Sequence, residues 1–206
     1  MASGTTTQVP RVSPDEDSLV RLGGWLFKQR SWLPIPIVLT LIALPHGPRP
    51  AAVVWMGIAL VVLGQAVRLW AVHHIGVISR TRSERLGPLI STGPFAHVRN
   101  PLYLGNLALW LGFTLGAGLL WLAPIVLLVL GVEYHAIVRW EEGLLRSRLG
   151  ASYVEYLARV PRWLPSLSPS SNERITGAYS WGDTLFSERS TLLAVLLGAV
   201  ILWLKA

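Results

Sequence analysis

The sequence has no cysteine. That excludes disulfides, thiolate metal sites and a cysteine nucleophile, and leaves the compartment open. Acidic residues are also few: 11 Asp and Glu stand against 18 Lys and Arg, giving a net charge of +7. There is no HExxH spacing. The adjacent His73 and His74 would point in different directions on a helix, so no metal site is expected. No glycine-rich fingerprint follows a strand-like run, which excludes a Rossmann nucleotide site. Residues 1–17 lack the basic start and early apolar core of a signal peptide.

Apolar residues are abundant. Over 206 residues, 52% are hydrophobic and 14% charged, a balance unlike that of an ordinary soluble domain. Ten tryptophans suit a protein with side chains at the lipid–water interface. The basic residues lie between the apolar runs, so the positive charge points to anionic lipid headgroups rather than nucleic acid.

In chain order, residues 1–17 read as a disordered tail and 18–30 as a short interfacial helix. Residues 32–44 form a first apolar run, short of the about 20 residues a bilayer requires and disturbed by Pro34 and Pro36. Residues 51–72 are the clearest span. Gln65 and Arg68 share one face of it, and a polar pair inside a membrane helix is expected to face protein or to snorkel. A long loop over 73–98 follows, containing Arg80, Arg82, Glu84 and Arg85. Residues 101–115 and 119–138 predict a helical hairpin around Gly116, Ala117 and Gly118, and its second arm runs on into 141–156. His135, Arg139, Glu142 and Arg146 share a face there, either solvated or lining a pocket. Pro161 and Pro165 keep the next segment extended. Residues 166–189 read as a polar linker and 190–206 as a C-terminal apolar helix.

The fold expected is therefore all-α: a polytopic helical membrane protein with about five transmembrane or membrane-embedded helices, its core over 18–165. Arg80, Arg82, Arg85 and Arg99, and the arginines between the fourth and last runs, place the long loops in the cytoplasm by the positive-inside rule. Arg49 and Lys205 fall on the other side.

Residues 93–106 carry the chemistry. Pro101 can open a helix, since its missing N–H costs nothing there, and Asn100 is a good N-cap. The free N–H groups of that first turn would point back towards Arg99 and His97, a site suited to an anionic group. The alternative is a capped membrane helix with a snorkelling arginine.

Gly93-Pro94-Phe95 followed by Arg99-Asn100-Pro101-Leu102-Tyr103-Leu104-Gly105 resembles the Arg-His-Pro-x-Tyr-x-Gly motif of integral-membrane methyltransferases, the superfamily of isoprenylcysteine carboxyl methyltransferases and phospholipid N-methyltransferases. Glu141-Glu142, Leu145, Leu149-Gly150, Tyr153, Tyr156, Val160-Pro161 and Pro165 resemble the second half of its signature. Asn100 stands where the family often has His. It can still cap a helix but cannot titrate near neutral pH. The segment beyond Pro165 is an addition to the family core.

The resemblance implies S-adenosylmethionine bound at the cytoplasmic side, with the protein supplying position and electrostatics. Glu142 and Glu141 would meet the cofactor's ammonium or a ribose hydroxyl. His97, Arg99 and the N–H groups after Asn100 would meet its carboxylate, with Pro101, Tyr103 and Gly105 completing that motif. Arg159 would face an anionic acceptor and, with Glu142, act in catalysis. The acceptor would be lipophilic: a prenylcysteine-like carboxylate, a lipid amine or a small thiol. The competing readings are an NADPH-dependent reductase of the sterol-reductase type and a non-enzymatic membrane protein. The reductases are expected to have Asn-Tyr after the proline, where this chain has Leu102-Tyr103.

Overall fold

Two helices meet through glycine. A Cβ on Gly57 would stand 2.8 Å from the Gly112 carbonyl oxygen, and one on Gly64 would stand 2.7 Å from that of Gly105. No other residue allows backbones this close, and such small-residue seams hold helices together where lipid removes the hydrophobic drive. The helices are α3 (Ala51–Ile75) and α4 (Pro101–Gly116), and the order of the contacts makes them antiparallel.

The computed structural model describes residues 14–75, 89–169 and 180–205, with side chains from residue 18 onward. Residues 1–13 of the tail expected over 1–17, the part of the loop with Arg80, Arg82, Glu84 and Arg85, and residues 170–179 of the expected linker lie outside the described residues. The remaining helices are α1 (Pro14–Gln29), α2 (Ile35–Ala43), α5 (Leu122–Leu149), α6 (Ala151–Arg159) and α7 (Trp181–Leu204), with a 3-10 turn at Gly93–Ala96. Among the described residues there is no strand. The all-α expectation holds, and three helices, α3, α5 and α7, are long and apolar enough to cross a membrane.

Several boundaries differ from expectation for local reasons. The run over 32–44 yields only the nine residues of α2, because prolines open it and Pro45 follows its end. Helix α1 begins at Pro14, inside the anticipated tail. Helix α7 begins at Trp181, inside the anticipated linker: the Ser180 hydroxyl accepts the Asp183 N–H at 3.1 Å and caps it. At 24 residues α7 has the length of a full span. Gly150, at φ 58°, turns the chain from α5 into α6 in a conformation that favours glycine.

The core lies along α5, where Leu122, Val126, Leu130, Tyr134 and Ile137 pack with Ile37 and Leu41 of α2. Helix α1 lies on α5, with Phe27 against Trp140 at 4.8 Å between ring centroids. Helix α7 runs antiparallel to α3. Trp181 stacks on His73 at 4.2 Å at one end, and at the other Lys205 Nζ donates to the Leu41, Ile42 and Leu44 carbonyls that close α2. The ends of α3 and α5, the starts of α4 and α7, and all of α6 thus gather at one end of the bundle.

Candidate functional site

At that end the two sequence motifs are fastened to each other. The first enters through Gly93, whose φ is 59° and whose Cβ would strike the His74 ring. The turn that follows buries Phe95, Ala96 and Val98. Residues 97–100 then run beside 161–166. The Arg99 N–H donates to Pro161 O at 3.0 Å, and the Ser166 N–H donates to His97 O at 2.9 Å. His97 Nδ1 lies 2.7 Å from Ser166 O, so that nitrogen carries a proton. The Tyr156 hydroxyl donates to Phe95 O at 2.8 Å. Proline at 161 and 165 keeps the partner segment extended enough to accept this pairing.

Asn100 departs from expectation. It occupies the N-cap position of α4, but its side chain does not cap the helix. Its Nδ2 instead donates to Arg162 O at 3.1 Å, spending the amide on holding the two motifs together. Pro101 is fully buried at the first position of α4. Gly105 packs in the α3–α4 seam, against Gly64 and the Arg68 stem, so its place is explained by helix packing.

The ionic centre is Glu142, near the end of α5 and only 6% exposed. It accepts from Arg99 Nη1 at 2.8 Å, from Arg162 Nε at 3.0 Å and from Arg162 Nη2 at 2.7 Å. Arg162 thus grips both carboxylate oxygens in a fork, the strongest geometry such a pair adopts. Arg99 Nε is buried without a hydrogen-bond partner. Two cations meet one anion here, so the cluster is complementary to a further negative group. Glu141, one helix position away and about 100° around the axis, serves a different neighbour. It accepts from the Tyr103 hydroxyl at 3.2 Å to each oxygen, and Tyr103 packs on Tyr134 at 4.8 Å.

Tyr153 and Tyr156 close the site from α6, in an apolar cluster with Val160. Burial pushes both phenols well above their ordinary range, so they stay protonated and act as donors and packing groups, not as bases. His135 lies over Trp163 with ring centroids 6.3 Å apart.

The structure brings together His97, Arg99, Asn100, Pro101 and Glu142, with Tyr103 and Glu141 alongside. It leaves Arg159 apart. Helix α6 continues through Arg159, and extended backbone begins only at Val160. Arg159 therefore lies on the outer face of α6, its side chain 49% exposed and 3.6 Å from Glu155. The residue missed in the sequence is Arg162, directly after the Val160-Pro161 pair whose extended geometry turns it inward.

Residues 52–152 match the protein family described as phospholipid methyltransferase, a stretch that holds Arg99 and Glu142 but ends before Arg162. The chain is 30% identical over 141 residues to the nickel-cobalt-cadmium resistance protein NccN of Alcaligenes xylosoxydans xylosoxydans, covering 65% of this chain and 63% of that protein. It is 29% identical over 113 residues to the cobalt-zinc-cadmium resistance protein CzcN of Cupriavidus metallidurans, covering 55% and 48%. It is 33% identical over 118 residues to the protein-S-isoprenylcysteine O-methyltransferase of Saccharomyces cerevisiae, covering 53% and 48%. The chain thus spans between 48% and 63% of the length of these curated relatives. No solved structure matches it. Among the described residues, no group of three or more His, Asp or Glu side chains is placed to hold a metal ion.

Proposed function

We propose that the chain is an integral-membrane methyltransferase of the isoprenylcysteine carboxyl and phospholipid methyltransferase type, transferring a methyl group from S-adenosylmethionine to a lipophilic acceptor; the family match over residues 52–152 and the likeness to the yeast methyltransferase support this reading. The observation that carries the reading is the single ion cluster built from both motifs, Arg99, Glu142 and Arg162.

The residues present fit the amino-acid end of that cofactor. The buried, unpartnered Arg99 Nε and the excess of cations over anions suit its carboxylate. Glu141, which accepts from the Tyr103 hydroxyl, offers a carboxyl oxygen to its ammonium. Glu142 already serves two guanidiniums, so its part is to hold Arg99 and Arg162 in register. When bound, the cofactor supplies an electrophilic methyl on a sulfonium. The chain's part is to orient donor and acceptor and to keep water away, which Tyr153, Tyr156 and Val160 do by burial.

The described arginines at the site end include Arg30, Arg99, Arg139, Arg146, Arg148, Arg159 and Arg162, against Arg49 and Lys205 at the other. By the positive-inside rule the site faces the cytoplasm. An acceptor dissolved in the bilayer would meet it at the membrane surface, with Arg159 at the rim for an anionic group. The yeast relative's name favours a prenylcysteine-type carboxylate and the family's description a phospholipid; a small thiol remains the third acceptor class.

Melting of the detergent-solubilised chain tests the reading. A ligand that binds only the folded state at a hundred times its Kd stabilises it by about 2.7 kcal/mol. S-adenosylmethionine should raise the melting temperature and NADPH should not. The opposite pattern would replace the methyltransferase by a reductase.

A further inference from the structure

A second polar assembly lies within the bundle, between α3, α4 and α7. Arg68 of α3 donates through Nε to Glu188 Oε2 at 3.1 Å and through Nη2 to both Glu188 oxygens, at 2.9 and 2.8 Å. Its Nη1 donates to Asn106 Oδ1 on α4. Glu188 of α7 is 1% exposed. An arginine inside an apolar span is costly, and exchanging such a buried pair for well-packed apolar residues is often neutral or stabilising. Docking α7 does not require it either. The ends of α7 are held separately, by Trp181 on His73, by Thr184 Oγ1 at 3.1 Å from His73 Nδ1, and by Lys205 on the end of α2.

What the pair adds is a grip on α4. Asn106 stands about a turn and a half beyond Pro101, on the helix whose start opens onto Arg99. Asn106 also lies against the Tyr134 hydroxyl. Tyr134 packs on Tyr103, and Tyr103 donates to Glu141. A continuous line of contacts thus runs from α7 through Arg68 and Asn106 to the carboxylate beside Glu142.

We propose that Arg68, held by Glu188 of α7, is a positioning residue for methyl transfer, fixing Asn106 and through it the first turns of α4 and the Tyr103–Glu141 contact. This rests on the methyltransferase reading. It makes α7, the addition to the family core, a working part of the site.

The test is calorimetric titration of the purified full chain with S-adenosylmethionine, alongside its melting temperature. Asn106→Leu leaves the Arg68–Glu188 pair intact and cuts only the line to the site. It should weaken cofactor binding by about 2- to 30-fold, the range of coupling through such networks, in titrations run well below its melting temperature, which falls with the lost Arg68 contact. Asn106→Asp, which keeps an oxygen for Arg68, should bind nearly as the unaltered chain does. Glu188→Gln should weaken binding as Asn106→Leu does. Unaltered affinity in Asn106→Leu would overturn the proposal, as would a loss seen only at temperatures where the variant melts. If the unaltered chain itself bound no cofactor, the methyltransferase reading would fail and this inference with it.

Discussion

Replacing Glu142 by Gln keeps the shape and removes one charge from the centre of the site. The carboxylate now accepts three hydrogen bonds from Arg99 and Arg162, at 2.8, 3.0 and 2.7 Å. An amide has one accepting oxygen and would turn its NH2 towards the other guanidinium. Hydrogen bonds to charged groups contribute about 1.5–3 kcal/mol each, and one guanidinium keeps an acceptor, so about that amount should be lost. At 2–4 °C per kcal/mol for a chain of this size, the melting temperature should fall by about 3–12 °C. Removing the carboxylate also frees Arg99, and cofactor affinity should fall roughly tenfold or more. A double-mutant cycle with Arg162→Ala isolates the pair. The double variant should lose less than the sum of the singles, by about 0.5–3 kcal/mol. Additivity within about 0.5 kcal/mol would show that the pair carries no energy and that its geometry is incidental.

Arg99→Ala should raise the Kd for S-adenosylmethionine roughly tenfold, while Arg159→Ala should leave it unchanged, because Arg159 stands on the outer face of α6 beside Glu155; calorimetry on both decides, and equal losses would remove the distinction. Single cysteines labelled in intact cells should react from outside at position 49 and not at 148, since the chain has no native cysteine to interfere; external labelling at 148 would reverse the topology. Tyr153 and Tyr156 have phenol pKa values raised by burial. The unfolded chain therefore loses those protons first, and stability should fall as pH rises past about 10. Replacing both tyrosines by Phe should flatten that fall, and an undiminished slope would show that neither phenol contributes to it.

The helical membrane class was legible because it rests on apolar runs, and the candidate site was legible as two motifs at recognisable spacings, which the fold brings together. What failed were choices made between distant segments. Asn100 follows local capping rules in the sequence, yet its amide finds a better partner 62 residues away in Arg162 O. Arg159 and Arg162 differ in sequence by one turn's spacing. Which of them faces Glu142 depends on where α6 stops, and Val160 buried beneath Tyr156 decides that. Glu188 read as part of the polar linker because the apolar run starts after it. The Thr184, Ser187 and Glu188 spacing, all buried on one face of α7, was the available signal.

Methyl transfer itself tests the central claim most directly. The purified chain, incubated with S-adenosylmethionine carrying an isotope-labelled methyl and with membrane lipid extract or a prenylated cysteine, is followed by mass spectrometry of the lipid-soluble products. The site described here predicts label in a lipophilic product, formed by the unaltered chain and strongly reduced by Arg99→Ala. Cofactor binding with no labelled product from any of these acceptors would contradict it and leave a membrane protein that holds the cofactor without using it.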